Sequence, residues 1–156
     1  MHTFLFDQEH KPQEAVDGKV WHVLKDRTET GVEDLMLLGS LIRANKPSVV
    51  VETGTYFGAG SAVIAEALEQ NNLGSLLTFE VNPDLVPKAR KRVSDLVGEA
   101  SNRVTFVHGD TTNPETFMNF AVLEEGIDFL FLDCADRHSA FMAAFPNLSP
   151  GALVVV

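Results

Sequence analysis

Residues 49 to 68 read VVVETGTYFGAGSAVIAEAL, and this stretch decides the fold. Three consecutive valines with no polar residue between them are typical of a short strand that is buried on both faces. A glycine-rich turn follows, and the segment from Ser61 to Leu68 then has the composition of a helix. A buried strand, a glycine turn and a helix in this order predict the first half of a β-α-β unit.

The rest of the chain repeats this alternation of short apolar runs and longer amphipathic stretches. The runs are Val49 to Val51, Leu76 to Phe79, Val104 to Val107, Ile127 to Leu132 and Leu153 to Val156. Because apolar residues stand side by side in each run rather than in strict alternation with polar ones, we predict strands that are covered on both faces. The predicted fold is α/β, a Rossmann-like doubly wound parallel sheet of five strands with flanking helices.

Proline and asparagine mark the expected helix ends. A leading helix is predicted from Val32 to Ala44. Asn82-Pro83 and Asn113-Pro114 each offer an N-cap with proline at the first helical position, which predicts two further helices. Asp136 to Phe145 is a fourth candidate, and Pro146 ends it.

Length and composition favour one domain, with a tail or flap at 1–32 and the folded domain at 33–156. No apolar run is long enough for a membrane span and no secretory signal is visible, so a soluble cytoplasmic protein is expected. The single Cys134 excludes an internal disulfide and a cysteine-based zinc site. A net charge of −10 argues against nucleic acid as partner, and the basic cluster Lys88 to Arg92 is expected to be a solvated helix face.

Glycine or acidic residues follow four of the predicted strands. Gly54, Gly58 and Gly60 come after the first, Glu80 ends the second, and Asp110 and Asp133 follow the third and fourth. In open α/β sheets ligands bind beyond the carboxyl ends of the strands. Each acid alone has an ordinary explanation, as a surface residue or a cap, but their meeting at one sheet edge favours a ligand site.

The spacing of the glycines separates two classes of nucleotide cofactor. A dinucleotide site has Gly-x-Gly-x-x-Gly, whereas here Gly54 and Gly58 are separated by three residues that include the bulky Tyr56. Glu52 would place a negative charge near a pyrophosphate. The same charge favours a cofactor that carries an ammonium and a sulfonium.

The sequence also resembles a known family. Val51 to Gly58 looks like the first motif of class I S-adenosylmethionine-dependent methyltransferases, and Leu76 to Asp84 looks like their second. With Val104 to Asp110, Phe129 to Asp133 and Leu148 to Gly151, the similarity extends from about residue 33 to the last residue, and it is strongest to small catechol- and caffeoyl-CoA-type O-methyltransferases.

This resemblance implies a set of site residues. Glu52, Gly54, Thr55, Tyr56, Gly58 and Ser61 would surround the methionine moiety of S-adenosylmethionine, Ser61 near its carboxylate, while Glu80 would hold the ribose and Val81, Asp110, Thr111 and Cys134 would lie around the adenine. Asp133 would face the methyl group and, as in the metal-dependent members, ligate magnesium. The implied reaction is O-methylation of a small-molecule acceptor.

The chain departs from the family pattern in three places. The lysine that serves as general base after the aspartate matching Asp133 is absent, which leaves His138, oriented by Asp136, as the alternative base. The Asp-Asp or Asp-Asn pair that supplies further metal ligands just after the fifth strand is also missing, so Asp133 alone would make a weak magnesium site. The final antiparallel strands are missing as well. The uncovered last strand predicts a homo-oligomer through that edge or an incomplete domain.

Two alternatives therefore stay open beside the methyltransferase. One is a non-catalytic or truncated module that binds S-adenosylmethionine, which the departures after Asp133 favour. The other is an NAD-dependent oxidoreductase, which rests on fold analogy alone.

Overall fold

The computed structural model describes residues 30–118 and 120–156, in which helices and strands alternate. The predicted tail therefore lies outside the described residues up to residue 29. The helices are α1 (Val32–Asn45), α2 (Ala59–Asn71), α3 (Val86–Val97) and α4 (Arg137–Ala144). The strands are β1 (Val49–Thr53), β2 (Ser75–Glu80), β3 (Val104–His108), β4 (Ile127–Leu132) and β5 (Leu148–Val155).

The strands form one parallel sheet in the order β3-β2-β1-β4-β5. The prediction of five parallel strands is confirmed. The chain runs outward from β1 to β3 and then returns to the other side of β1, so the strand order reverses between β1 and β4. That reversal opens a crevice at the carboxyl ends of these two strands, which is where such sheets bind ligands.

Apolar side chains fill both faces of the sheet. On one face Val50, Leu76 and Phe129 pack against α1, α2 and α3. On the other face Val49 and Val51 pack with α4 and with the segment between β3 and β4. Consecutive residues of β1 thus point into different cores, and this explains why the strand has no polar alternation.

Three predicted elements differ from the structure. Asn82 does not cap a helix, because its side chain accepts from the N–H of Asp84 in a turn and α3 begins only at Val86. The helix predicted after Asn113 is replaced by two short 3₁₀ turns, at Pro114–Phe117 and Ala121–Glu125. Strand β5 begins at Leu148, earlier than predicted, and its pairing with β4 is irregular between Ile127 and Phe129.

Among the described residues, none of the helices combines the length and the apolar character that crossing a bilayer requires.

Candidate functional site

A cavity of about 920 Å³ lies at the carboxyl ends of the strands. This volume falls within the range of pockets that hold small molecules and cofactors. Most of the residues singled out in the sequence line it: Glu52, Gly54, Thr55, Tyr56, Glu80, Val81, Asp110, Thr111, Asp133 and Cys134. The fold thus gathers segments that are up to about eighty residues apart in sequence onto one wall.

The loop after β1 passes very close to the end of β4. Gly54 has φ +90°, and a Cβ built there would lie 2.6 Å from the carbonyl oxygen of Asp133. The N–H groups of Gly54 and Thr55 both donate to the carbonyl of Phe79, at 2.9 and 3.1 Å. Tyr56 also adopts a positive φ of 47°, which a residue with a side chain rarely does. The loop is therefore held tightly, with its backbone against both neighbouring strands.

Glu52 is the buried acid at the floor of the cavity, with 1% of its surface exposed. Its Oε2 accepts hydrogen bonds from the hydroxyls of Ser61 and Thr78, the latter at 2.6 Å. Burial raises the pKa of Glu52 to about 7, against the lowering effect of these two bonds and with a further increase from Asp133 and Glu80. A group with this pKa is partly ionised at neutral pH.

Gly60 leaves room for that carboxylate. A Cβ built at Gly60 would collide with Oε1 of Glu52, so any larger residue would displace the acid. Gly60 and Glu52 both line the cavity. The absence of a side chain at the start of α2 therefore lets the buried carboxylate reach the ligand space.

Glu80 at the end of β2 holds two stretches of backbone. Its Oε2 accepts from the N–H of Tyr56 at 2.7 Å and its Oε1 accepts from the N–H of Asn82 at 2.9 Å. A carboxylate offers about four acceptor positions, so these bonds leave it able to accept from a ligand. Its carboxylate is thus fixed between the glycine loop and the backbone of Asn82. Val81, which lies between Glu80 and Asn82, is 64% exposed.

Asp110 and Thr111 follow β3. Asp110 accepts from both the hydroxyl and the N–H of Thr112, at 2.7 and 2.9 Å, and the hydroxyl bond is the main reason that the pKa of Asp110 is lowered. Asp110 therefore stabilises its own turn while it lines the cavity. Thr111 is buried beside it, with 6% exposed.

Asp133 follows β4 and has a partner on each oxygen. Its Oδ2 accepts from the hydroxyl of Thr30 at 3.0 Å, and its Oδ1 is 3.3 Å from Nη2 of Arg137. The next residue, Cys134, accepts from the hydroxyl of Thr53 at 3.3 Å. Asp133 is therefore tied both to the segment just before α1 and to the first residue of α4.

Three predicted site residues do not reach the cavity. Ser61 is fully buried and its hydroxyl is bonded to Glu52, so it does not face the space where a carboxylate would lie. Gly58 is the N-cap of α2 and shapes the loop from behind, next to Val93. His138 is exposed on α4 and does not line the cavity, while Asp136 caps that helix through the N–H of Ser139. The suggestion of His138 as base is therefore not supported by its position.

The atoms around Asp133 do not form a suitable ligand set for a magnesium ion. Both of its oxygens have partners, and one partner is a guanidinium, which would repel a divalent cation. In the part of the chain that the structure describes, no three Asp, Glu, His or Cys side chains are grouped as metal ligands. Magnesium needs about six oxygen ligands in octahedral arrangement, which this surrounding does not offer.

Several residues that line the cavity were not predicted from the sequence. Arg92 was expected on a solvated face, but it lines the cavity and its Nη1 donates to the carbonyl of Phe57 at 3.4 Å. It lies one residue before the buried Val93, which is the signal that its side chain starts near the core face of α3. Thr30 and Arg137 also line the cavity, and only the tertiary fold brings them to Asp133.

The cavity wall is acidic overall. The carboxylates that line it are Asp34, Glu52, Glu80, Asp110, Asp133 and Asp136. Among the described residues, the cationic side chains on the wall are Arg92 and Arg137. Such a wall attracts a cationic ligand and repels a pyrophosphate.

Comparison with known proteins agrees with this geometry. A family model described as a methyltransferase domain matches residues 51–156, which is more than half of the chain. The chain belongs to this methyltransferase family. The matched part begins in β1 and includes the glycine loop, Glu80, Asp110 and Asp133, so it contributes most of the cavity wall.

Solved structures share the fold of this methyltransferase domain. The SAH-bound methyltransferase PaMTH1 from Podospora anserina has 18% identity and a TM-score of 0.66, over 86% of this chain and 58% of that one. The O-methyltransferase TomG from Streptomyces achromogenes, in complex with SAM, has 22% identity and a TM-score of 0.67, over 97% and 66%. A methyltransferase from Geobacter sulfurreducens has 22% identity and a TM-score of 0.67, over 96% and 74%.

This chain is shorter than each of these three proteins. It spans about three fifths of the length of PaMTH1 and about two thirds of that of TomG. A search of curated proteins found no match.

Proposed function

We propose that this chain binds S-adenosylmethionine in the cavity and belongs to an enzyme that transfers the methyl group to a hydroxyl oxygen of a small molecule. The observation that carries the proposal is the buried Glu52 beneath a wall of further carboxylates, in a chain of the methyltransferase family. S-adenosylmethionine carries an ammonium and a sulfonium, and both are complementary to such a wall.

Each part of the cofactor is assigned to particular residues of the cavity wall. Glu80 has acceptor positions left for the two ribose hydroxyls. The methionine moiety lies over Gly54 and Gly60, where its ammonium group forms an ion pair with Glu52. Val81, Thr111 and Cys134 then surround the adenine, and Asp133 faces the methyl group.

The chemistry needs alignment more than covalent help. The acceptor oxygen forms a bond to the methyl carbon while the carbon–sulfur bond breaks, and sulfur leaves as a neutral thioether. The hydroxyl proton passes to a base, and Asp133 has acceptor positions beyond those used by Thr30 and Arg137. Holding nucleophile and methyl carbon in line supplies much of the rate.

The acidic wall also distinguishes substrate from product. Loss of the methyl group removes the positive charge on sulfur, so S-adenosylhomocysteine is attracted less by Glu52 and Asp133 than S-adenosylmethionine is. We therefore expect the product to leave more readily than the substrate.

Calorimetric titration with S-adenosylmethionine, S-adenosylhomocysteine and NAD tests the cofactor. Glu52→Gln should weaken S-adenosylmethionine binding by about tenfold or more, since an ion pair in a partly buried site is worth more than about 1.4 kcal/mol. The matched control is Glu99→Gln, because Glu99 is an exposed acid that does not line the cavity. Tighter binding of NAD, or no binding of S-adenosylmethionine, would refute the proposal.

A methyl-transfer assay with radiolabelled cofactor across phenols, hydroxy acids and amines tests the reaction. Product from hydroxyl acceptors alone supports O-methylation. Cofactor binding without any product would instead identify a non-catalytic module, and product from amines alone would overturn the assignment to oxygen.

A further inference from the structure

Arg137 brings a positive charge to the end of the acidic cavity at which Asp133 lies. It is the first residue of α4, it lines the cavity, and 47% of its side chain is exposed. Nothing in the proposed binding of the cofactor uses this charge. The charge of Arg137 is therefore available to a ligand other than the cofactor.

Two contacts fix the guanidinium in place. Its Nε donates to the carbonyl of Leu132 at 3.0 Å, and its Nη2 lies 3.3 Å from Oδ1 of Asp133. Neither contact uses Nη1, so one part of the planar group remains directed away from both partners. An arginine held in this way has already lost much of its side-chain freedom and is prepared to bind an anion.

The positions of the two cavity arginines specify where an anion can lie. Arg92 lies beside the glycine loop, where its Nη1 contacts the carbonyl of Phe57. Arg137 lies at Asp133, the residue that faces the transferred methyl group under the proposed function. Carboxylates dominate the rest of the wall and repel anions. An anionic group near the methyl end is therefore favoured at Arg137.

We propose that Arg137 binds a carboxylate of the methyl acceptor, so that the acceptors are hydroxy acids. This inference rests on the proposed function. An arginine and a carboxylate form parallel hydrogen bonds that fix orientation as well as position. The acceptor hydroxyl is then held near Asp133, loses its proton to that carboxylate or to water, and takes the methyl group from sulfur, while Arg137 stays protonated throughout.

The same contact replaces the divalent cation that the resemblance to catechol-type enzymes implied. A guanidinium beside Asp133 supplies a fixed positive charge at the acceptor end, where a magnesium ion would meet electrostatic repulsion. Acceptor binding through Arg137 is accordingly independent of divalent metal.

The test compares acids with their amides at equilibrium. The protein is saturated with S-adenosylhomocysteine and titrated with salicylate, salicylamide, 3,4-dihydroxybenzoate and 3,4-dihydroxybenzamide, each with and without EDTA. We expect each acid to bind at least about tenfold more tightly than its amide, with or without chelator.

Variants assign that preference to one side chain. Arg137→Gln should reduce it to about twofold or less, and Arg137→Lys should retain part of it, because lysine keeps the charge but loses the parallel geometry. The control is Arg90→Gln, because Arg90 is exposed on α3 and does not line the cavity. If Arg137→Gln fails to fold, Arg137→Lys still carries the comparison.

Two results would overturn the inference: acids that bind no tighter than amides or not at all, or a preference that survives in Arg137→Gln. Binding of S-adenosylmethionine separates this failure from failure of the proposed function. Arg137→Gln should leave cofactor affinity undiminished. The substitution removes a positive charge near Asp133, and that charge repels the sulfonium rather than attracting it. Loss of cofactor binding in the unaltered protein would instead refute the function itself.

Discussion

Glu52 should make both folding stability and cofactor affinity depend on pH near neutrality. Burial raises its pKa to about 7 from an ordinary value of 4.5. The proton is bound more tightly in the folded chain than in the unfolded chain. The stabilising effect of the protonated form is therefore complete below about pH 4.5 and is lost as the pH rises through about 7.

The size of the stability effect follows from the shift. The rise of the pKa from 4.5 to about 7 corresponds to about 3 kcal/mol of stability, lost between about pH 4.5 and about pH 7. Glu52→Gln cannot ionise and should abolish this part of the pH dependence. At about pH 8 the free energy of unfolding of the variant should equal or exceed that of the unaltered protein, since the amide is not penalised by burial of a charge.

Cofactor binding should show the opposite trend. If the cation of S-adenosylmethionine binds only to ionised Glu52, affinity follows the ionised fraction, which rises about eightfold between about pH 6 and about pH 7.5 for a pKa near 7. Binding at about pH 6.5 should therefore release a proton from Glu52.

Calorimetry in buffers of different ionisation enthalpy measures affinity and proton release together. Urea unfolding at the same pH values measures stability. The comparison of unaltered protein, Glu52→Gln and the exposed-acid control Glu99→Gln removes the contribution of the cofactor's own amino group. An affinity that is flat with pH, or a dependence that persists in Glu52→Gln, would refute the reasoning.

Three further substitutions test the same wall. Gly54→Ala should lower the free energy of unfolding by about 1 to 3 kcal/mol in urea titration, because a Cβ would strike the backbone of Asp133 at a positive φ; an unchanged stability would contradict this close approach. Thr78→Val removes a donor that favours the ionised form of Glu52, so the midpoint of the pH-dependent affinity should move to higher pH rather than lower. Glu80→Gln should weaken S-adenosylmethionine by about tenfold in calorimetry, through poorer acceptance of the ribose hydroxyls; an equal loss of affinity for free methionine would assign the effect elsewhere.

The sheet was predictable because burial on both faces leaves a clear signal in sequence. Each strand core was located from a mostly apolar run, of which Val49 to Val51 is the clearest. The prediction that both faces of the first strand are covered is confirmed, since β1 lies at the centre of the sheet between two apolar cores.

The elements between β2 and β4 were less predictable. Asn-Pro pairs satisfy the local rules for a helix start, but Asn82 accepts a hydrogen bond from the N–H of Asp84 in a turn. Asn113 does cap a helix, with Pro114 at its first position, but this is a 3₁₀ helix of four residues rather than an α-helix. In the second case Phe117 and Leu123 are buried from two separate 3₁₀ turns. Helical spacing of apolar residues is thus compatible with another way of burying them.

The candidate site was predictable where it depended on strand ends and unpredictable where it depended on contacts between elements. Glu52, Glu80, Asp110 and Asp133 each follow or end a strand, so topology alone brings them together. The contact between Ser61 and Glu52 depends on how α2 is rotated over β1, and sequence position does not reveal that rotation.

Asp133 and Glu52 differ in what compensates their charge, and this difference gives the cavity two ends. The donors to Glu52 are the hydroxyls of Ser61 and Thr78, which are neutral, so its charge when ionised is left for a ligand to balance. Asp133 already has the guanidinium of Arg137. A cationic cofactor therefore gains most of its electrostatic binding free energy beside Glu52. The end of the cavity at Asp133 can instead accept a hydroxyl proton and bind an anionic group side by side. If Glu52 had an arginine partner instead, its pKa would remain low, but its negative charge would already be balanced and would no longer be left for the ammonium of the cofactor.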